Sequence, residues 1–89
     1  MPLVSIVVPA YNVEKYIEAC LRSLLSQTLR DIEVICVDDA STDGTARIVQ
    51  ELAKSDSRLH YFRNERNLNL FATRHVGAAR TTGTYVTFL

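Results

Sequence analysis

The chain lacks net charge, long apolar runs and a secretion signal, and each absence excludes a class of protein. Its ten acidic and ten basic side chains cancel to zero formal charge at pH 7, so we expect no nucleic-acid partner and no broad attraction to an anionic membrane. No apolar run approaches the ~20 residues that a membrane-spanning helix needs. The N-terminus has neither the charged region nor the cleavage site of a signal peptide.

Cysteine and glycine are scarce as well, with two and three residues respectively. Cys20 and Cys36 fall at apolar positions without Cys or His neighbours at ligand spacing, which favours free thiols over a disulfide or a metal pair. Free thiols are typical of a reducing compartment, so we expect a cytoplasmic protein. No Gly-x-Gly-x-x-Gly follows the first predicted strand, which disfavours a dinucleotide-binding dehydrogenase.

What the chain does contain centres on a short apolar run at residues 34–37, with two valines and one isoleucine. The run is too short for a helix and predicts a buried parallel strand that begins near Ile32. It stops at two adjacent carboxylates, Asp38 and Asp39. Because open α/β sheets bind ligands beyond the carboxyl ends of their strands, this acidic turn is the first candidate site.

The helix predicted after this turn runs from residue 43 to about residue 54, capped by Ser41 or Thr42, with Asp43 in its first turn. Three carboxylates near one helix N-terminus would repel a phosphate. They suit neutral donors such as a base N–H or a ribose hydroxyl, or else a divalent cation. The alternative is that Asp38 and Asp39 only satisfy backbone N–H groups of the turn.

The other elements follow from the same kind of apolar pattern. Pro9 is expected to end the first strand because proline cannot donate to a central ladder, and Gly83 to stop the last helix. Gly77, Ala78 and Ala79 predict that this helix approaches the sheet closely. The predicted elements are strands 3–8, 59–62 and 85–89, a helix capped by Asn12 and ending near Gln27, and a helix from Asn69 or Leu70 to about Thr81.

The order β-α-β-α-β-α-β predicts one α/β domain over residues 1–89. Right-handed crossovers give a Rossmann-like three-layer sandwich, with a mostly parallel sheet in the order 3-2-1-4 and helices on both faces. The chain stops in a strand that we expect to be central, which indicates a truncated fragment with an exposed apolar edge. We expect such a fragment to self-associate through that edge.

The loops after the first three predicted strands meet at one rim in this topology. There, Tyr11 offers a flat ring on which a base can stack. Asp39 can accept a hydrogen bond from a base or a ribose, and Arg74 supplies a cation for a base carbonyl or a phosphate. These residues, and Asn67 in the third loop, also have alternative roles that involve no ligand. Tyr11 can pack at the start of the next helix as a hydrophobic staple, Arg74 can be a solvated side chain and Asn67 can cap a turn.

Several ordered stretches cover essentially the whole chain: residues 4–12 (VSIVVPAYN), 25–28 (LSQT) and 37–45 (VDDASTDGT), then Asn67, Arg74, Gly77, Ala79 and residues 83–89 (GTYVTFL). Together they resemble the N-terminal, nucleotide-binding portion of family 2 glycosyltransferases of the GT-A fold. Two positions depart from the family pattern. His75 stands where the family often has Asn, and Asn69-Leu70 replaces a commoner turn that contains glycine.

The resemblance implies a uridine site in which the Tyr11 ring lies against the uracil and Asp39 accepts from the uracil N3–H. It also implies that Asn67 and Arg74 contact the nucleotide near its base and diphosphate. The full set of implied nucleotide-binding residues is Pro9, Ala10, Tyr11, Asp39, Asn67 and Arg74. The resemblance leaves Asp38, Ser41 and Asp43 to shape the turn.

For the parent enzyme, the resemblance implies inverting transfer of a sugar from a UDP-sugar donor to a saccharide or lipid-linked acceptor. A carboxylate base would activate the acceptor hydroxyl, and a divalent cation, Mn²⁺ or Mg²⁺, would neutralise the departing diphosphate. The base and the Asp-x-Asp metal motif would lie beyond Leu89. We therefore expect no catalytic or metal-binding residue and no bound cation in this fragment, and a parent that is cytoplasmic or associated with the inner face of the membrane.

Two other classes of function are compatible with paired acids after a strand. A receiver-like phosphoacceptor domain also needs an Asp after the third strand and a Lys after the last, and here the third strand ends in Phe62-Arg63-Asn64. A non-catalytic nucleotide-binding or assembly module would keep the site without the activity.

Overall fold

The computed structural model describes residues 2–89, in which strands and helices alternate. The elements are β1 (Val4–Ala10), α1 (Ile17–Leu25), β2 (Ile32–Asp38), α2 (Thr45–Ser55), β3 (Leu59–Arg63), α3 (Leu70–Ala78) and β4 (Tyr85–Phe88). This confirms the predicted order of elements. Within residues 2–89, every helix is too short or too polar to cross a membrane.

All four strands are parallel, and their order across the sheet is β3-β2-β1-β4, as predicted. β1 pairs with β2 along its whole length, from Val4↔Ile32 to Ala10↔Asp38, and pairs with β4 on its other side. α1 and α2 pack on one face of the sheet and α3 on the other. Because the strands all point the same way, their carboxyl ends meet at one rim.

The two faces of the sheet are packed differently. Alternate residues of β1 and β2 form an apolar core with α1 and α2, centred on Val8, Val34 and Leu21. On the other face α3 approaches closely at Gly77, where an added Cβ would lie 2.3 Å from Val7 Cγ1. The predicted close approach is confirmed at Gly77, whereas Ala79 is exposed and takes no part in it.

The prediction that Pro9 ends β1 is wrong, because the strand continues to Ala10. The β1–β4 register ends at Val7↔Phe88, followed by one hydrogen bond from Leu89 N to Val7 O. On the β2 side, Ala10 O accepts from Asp39 N at 2.8 Å. Proline is tolerated here because the ladder requires no N–H donor at residue 9.

The prediction that Asn12 caps α1 is also wrong, since the helix begins at Ile17 and Tyr16 precedes it. Residues 13–16 form a turn, with Tyr16 N and Ile17 N both donating to Val13 O. Asn12 has a φ of 50°, and its Oδ1 accepts instead from Thr42 N at 2.8 Å. The side chain expected to cap a helix therefore joins two loops.

α2 begins later than predicted. Its N-cap is Gly44, with neither Ser41 nor Thr42 in that position. Ser41 Oγ accepts from Asn12 N at 2.9 Å, so this hydroxyl is used between the loops. Asp43 Oδ1 accepts from the Thr45 backbone N–H at 2.9 Å, which satisfies a donor of the first helical turn.

α3 ends at Ala78, earlier than the predicted Thr81, and turns follow it. Gly83 does not stop the helix. It lies against β1, where an added Cβ would be 2.6 Å from Ser5 Oγ and 2.8 Å from the Ser5 backbone nitrogen. The glycine is needed for this close approach between the α3–β4 connection and the first strand.

β4 forms one edge of the sheet in residues 2–89, and all four of its residues are exposed. Tyr85, Val86 and Phe88 leave 63%, 42% and 46% of their surface open. The structure thus contains the apolar edge that the sequence predicts. β3, at the opposite edge, has its first residue, Leu59, buried under α2.

Candidate functional site

A cavity of about 360 Å³ opens at the carboxyl ends of β1 and β2. Five of the six residues predicted to bind nucleotide line it, and three further residues complete it. The lining is Pro9, Ala10, Tyr11, Asp39, Asn67, Asn69, Leu70 and Thr73. The three rim loops therefore converge as the topology predicts.

Asp39 lies at the floor of this cavity and is 5% exposed. Its Oδ1 accepts from Leu68 N at 2.7 Å and from Asn64 Nδ2 at 2.9 Å. Its Oδ2 accepts from Asn69 N at 3.1 Å. A carboxylate has about four acceptor positions, so these three bonds leave Asp39 with capacity for one more donor.

The same hydrogen bonds determine the charge of Asp39. Burial raises the pKa of its carboxyl, but donors from the Leu68 backbone, the Asn64 side chain, the Asn69 backbone and the Thr73 side chain hold the pKa below its ordinary value. The carboxylate is therefore ionised at neutral pH and acts only as an acceptor. A ligand atom that meets it must be an N–H or O–H donor.

Tyr11 and Asn67 form the open side of the cavity. The Tyr11 side chain is 48% exposed and follows Ala10, the last residue of β1. Asn67 Nδ2 makes one long hydrogen bond, 3.4 Å, to the backbone oxygen of Asp39. The exposed ring of Tyr11, and the oxygen and second N–H of the Asn67 amide, are available to a ligand.

Asp38 has no exposed surface and serves the turn. Its Oδ1 accepts from Ser41 N at 2.8 Å, and its Oδ2 accepts from Tyr61 Oη at 2.7 Å and from Arg63 Nη1 at 3.0 Å. Burial and the bond to Asp38 raise the pKa of Tyr61 to about 12, so the phenol keeps its proton. This agrees with the turn-shaping role that the family resemblance implies for Asp38.

The first two rim loops are joined by direct hydrogen bonds. Besides the bonds between Asn12 and residues 41 and 42, Val13 N donates to Thr45 Oγ1 at 3.0 Å, and Gly44 N donates to Glu14 Oε2 at 3.0 Å. The Thr45 hydroxyl donates to Asp43 Oδ1 at 2.6 Å and lowers the pKa of that carboxyl. These contacts fix the position of Tyr11 relative to Asp39.

Arg74 is the one predicted site residue that does not line this cavity. It borders a second cavity, of about 310 Å³, together with Phe71, His75, Ala78 and Phe88. Its Nε is buried and has no hydrogen-bond partner within residues 2–89. His75 is exposed and makes an edge-on contact with Phe71, with ring centroids 5.1 Å apart.

Thr73 and Asn69 were not predicted as site residues. Thr73 lies four residues before Gly77, on the same sheet-facing side of α3. A polar residue on this buried side could have indicated a site residue. Asn69 has a φ of 108° and a ψ of 169°, a region that is otherwise almost confined to glycine. The sequence did hold one clue to this conformation, because Asn69 stands in a turn where the family commonly has glycine.

The site does not supply a metal centre. Within residues 2–89, no three His, Cys, Asp or Glu side chains gather into a group that could hold a metal ion. Asp38 is occupied by hydrogen bonds to its turn and to two side chains of β3, and Asp43 by bonds to its own turn. Asp39 keeps a single acceptor position beside its bonds to residues 64–69. A divalent cation does not fit this donor set.

Comparison with known proteins agrees with this architecture. The model of the family described as Glycosyl transferase family 2 matches residues 5–89. The uncharacterized glycosyltransferase EpsJ of Bacillus subtilis is 45% identical over 89 residues, which are all of this chain and 26% of EpsJ. GalNAc(5)-diNAcBac-PP-undecaprenol beta-1,3-glucosyltransferase of Campylobacter jejuni is 36% identical, over all of this chain and 29% of its own length.

Solved structures show the same fold. S. aureus TarS 1–349 in complex with UDP-GlcNAc superposes with a TM-score of 0.90 at 36% identity, over 98% of this chain and 26% of TarS. The mannosyltransferase PcManGT from Pyrobaculum calidifontis, in complex with GDP-Man and Mn²⁺, gives a TM-score of 0.87 at 29% identity, over 96% of this chain and 26% of PcManGT. The chain thus spans about a quarter of the length of these relatives. It belongs to glycosyl transferase family 2 and has the Rossmann-like GT-A architecture.

Proposed function

We propose that the parent protein transfers a sugar from a UDP-sugar to a saccharide or lipid-linked acceptor with inversion, and that this chain carries the uridine-binding part. In such a transfer the acceptor hydroxyl gives its proton to a carboxylate base of the parent protein and its oxygen bonds to the anomeric carbon, while the bond to UDP breaks and UDP departs. The Campylobacter relative, named for an undecaprenol-linked substrate, and TarS with its bound UDP-GlcNAc support the two substrate classes. The complex of PcManGT with Mn²⁺ supports a divalent cation in the parent.

The observation that carries the uridine proposal is the pairing of the exposed Tyr11 ring with the ionised Asp39 carboxylate in one cavity. Stacking of a base on an aromatic ring contributes about 1–3 kcal/mol. Uracil presents N3–H, a donor that the free acceptor position of Asp39 can take. Cytosine presents an unprotonated N3 at the same place, and its lone pair would face the carboxylate. The site therefore favours uracil over cytosine.

The volume of the cavity is compatible with this ligand. About 360 Å³ lies at the small end of the range for small-molecule sites, and its walls are largely apolar, with Leu70, Pro9 and the Tyr11 ring among the lining residues. Asn67 adds an amide that can both donate and accept. These groups fit a flat heterocycle held on its polar edge by Asp39.

The test is calorimetric titration of the 89-residue chain with UDP and with CDP. We expect UDP to bind about 10- to 100-fold more tightly, the value of one hydrogen bond to a charged group. In Asp39→Asn, the amide oxygen stays at the Oδ1 position because Leu68 N and Asn64 Nδ2 donate there. Its NH₂ group then occupies the Oδ2 position, where Asn69 N loses its acceptor, so both nucleotides should bind more weakly. Because the amide presents a donor where the carboxylate presents an acceptor, the variant should also lose the preference for UDP and gain relative affinity for CDP.

Asp31→Asn is the matched control, since Asp31 is exposed in the loop before β2, at the opposite end of the sheet. This variant should keep the preference of the wild-type chain. Equal affinities of the wild-type chain for UDP and CDP, or absence of binding at millimolar UDP, would contradict the uridine site.

A second candidate, a non-catalytic assembly module, draws on the exposed apolar residues of β4. An unprotected sheet edge can pair with a second copy, and we propose self-association through it. Light scattering should show a concentration-dependent dimer that Val86→Lys abolishes. Release of UDP from a UDP-sugar by the parent protein, with acceptor present, separates the transferase from the assembly module.

A further inference from the structure

Two buried polar side chains, Asn64 and Thr73, converge on Asp39, and the proposed function gives neither of them a hydrogen bond to the nucleotide. Asn64 follows β3 and is 7% exposed, and Thr73 lies on α3 with no exposed surface. The two Nδ2 protons of Asn64 have separate acceptors. One is directed to Asp39 Oδ1 at 2.9 Å and the other to Thr73 Oγ1 at 3.2 Å.

Both ends of this chain of hydrogen bonds are anchored to the backbone. Asn64 N donates to Asp38 O at 2.9 Å, which extends the pairing of β3 with β2 by one residue. Thr73 N donates to Asn69 O at 3.0 Å within the first turn of α3. Asn64 and Thr73 are thereby fixed by different elements, and each restrains the other through the amide.

The consequence for Asp39 is a fixed orientation of its carboxylate. Oδ1 holds two donors, Asn64 Nδ2 and Leu68 N, and both of its acceptor positions are filled. Rotation of the carboxylate would break these bonds in a buried site, which is costly. The acceptor capacity that remains is therefore on Oδ2, beside Asn69 N.

We propose that Asn64 and Thr73 are positioning residues, which orient Asp39 so that the acceptor on Oδ2 is presented to the N–H of a base. This inference rests on the proposed uridine site and adds the residues that set its base preference. Neither side chain needs to touch the nucleotide through its hydrogen-bonding groups. Their effect passes through the geometry of one carboxylate.

Two substitutions at Thr73 separate positioning from packing. Thr73→Val keeps the volume and branching of the side chain but removes the hydroxyl, which accepts from Asn64 and itself helps to lower the pKa of Asp39. Thr73→Ser keeps the hydroxyl and loses a methyl group. We expect the ratio of UDP to CDP affinity to fall about 10-fold in Thr73→Val and to stay within about twofold of the wild type in Thr73→Ser. A purely structural role would follow packing instead, so that the serine variant would be affected at least as much as the valine variant. That result, or an unchanged ratio in Thr73→Val, would overturn the proposal.

A second measurement needs no nucleotide and so distinguishes this proposal from the proposed function. The ¹H–¹⁵N NMR signals of the Asn64 side-chain amide and of the Leu68 and Asn69 backbone amides should titrate together with the Asp39 carboxyl in acid. In Thr73→Val their common midpoint should move to higher pH, because the carboxylate loses support, and Thr73→Ser should restore it. An unmoved midpoint overturns the positioning role. A moved midpoint in a chain that binds no UDP overturns only the uridine proposal.

Discussion

Asp38 and Asp39 are adjacent, both are buried, and each carboxylate accepts three hydrogen bonds, yet they belong to different parts of the molecule. Successive side chains at a strand end point to opposite faces. Asp38 consequently meets the side chains of Tyr61 and Arg63 on the α2 side, and Asp39 meets the loop before α3. The difference shows that direction, set by strand alternation, decides which acid supports the turn and which one faces the cavity.

The partners of the two acids differ in kind. Asp38 binds two side chains of β3 and only one backbone N–H, so its contacts join two strands and the turn. Asp39 binds two backbone N–H groups and Asn64, all within residues 64–69. Loss of Asp38 should therefore weaken the whole domain, whereas loss of Asp39 should release one loop and the ligand.

Asp38→Ala is expected to have the largest effect on stability, a loss of about 3 kcal/mol in the free energy of unfolding. The substitution leaves Ser41 N and the Tyr61 hydroxyl without an acceptor in a buried place. The Arg63 side chain is 44% exposed and can turn to water, which limits the loss. Urea denaturation followed by circular dichroism measures it.

Tyr61→Phe is the matched control, because it removes one of the three bonds to Asp38 and should cost about 1 kcal/mol. If Asp38→Ala costs no more than Tyr61→Phe, Asp38 does not hold the turn. The contrast between the two aspartates would then have to be abandoned.

Acid should act on the Asp39 side. The folded pKa of Asp39 lies below its ordinary value, so its contribution to stability is fully present above the unfolded pKa and is lost as the pH falls through the folded pKa. Between about pH 5 and pH 2, the unfolding free energy of Asp39→Asn should decline less steeply than that of the wild type. Equal slopes in the two proteins, measured by urea denaturation at each pH, would show that the carboxylate does not stabilise its loop.

The order of strands and helices could be predicted from the sequence because it depends on local apolar patterns and on the handedness of crossovers. The start of α1 could not be predicted from such local patterns. Asn12 is a good helix cap by residue type, but its oxygen is taken by Thr42, 30 residues away. A cap is a local signal, whereas the competing partner is brought near only by the folded sheet.

The site could be predicted in part for a related reason. Convergence of Tyr11, Asp39 and Asn67 follows from the position of each loop after a strand. The contribution of α3 depends on helix rotation, where neighbouring residues are about 100° apart. Thr73 faces the first cavity and Arg74 borders the second, a distinction that the sequence pattern did not resolve.

The smallest expected effect concerns backbone strain on the two sides of the acidic turn. Asn69, which donates to Asp39, has a φ of 108°, and Ala40, which follows Asp39, has a φ of 62°. Glycine adopts either conformation without strain. Asn69→Gly also removes the side-chain oxygen that accepts from Ala72 N and caps α3. After this loss is subtracted, the substitution should stabilise the domain by about 1 kcal/mol. Ala40→Gly loses no side-chain hydrogen bond and is the control, with an expected gain of about 0.5–1 kcal/mol. Thermal denaturation of both variants measures these gains. A loss of stability in Asn69→Gly alongside a gain in Ala40→Gly would mean that the asparagine cap outweighs the strain, and that this loop is held by its side chain rather than by Asp39.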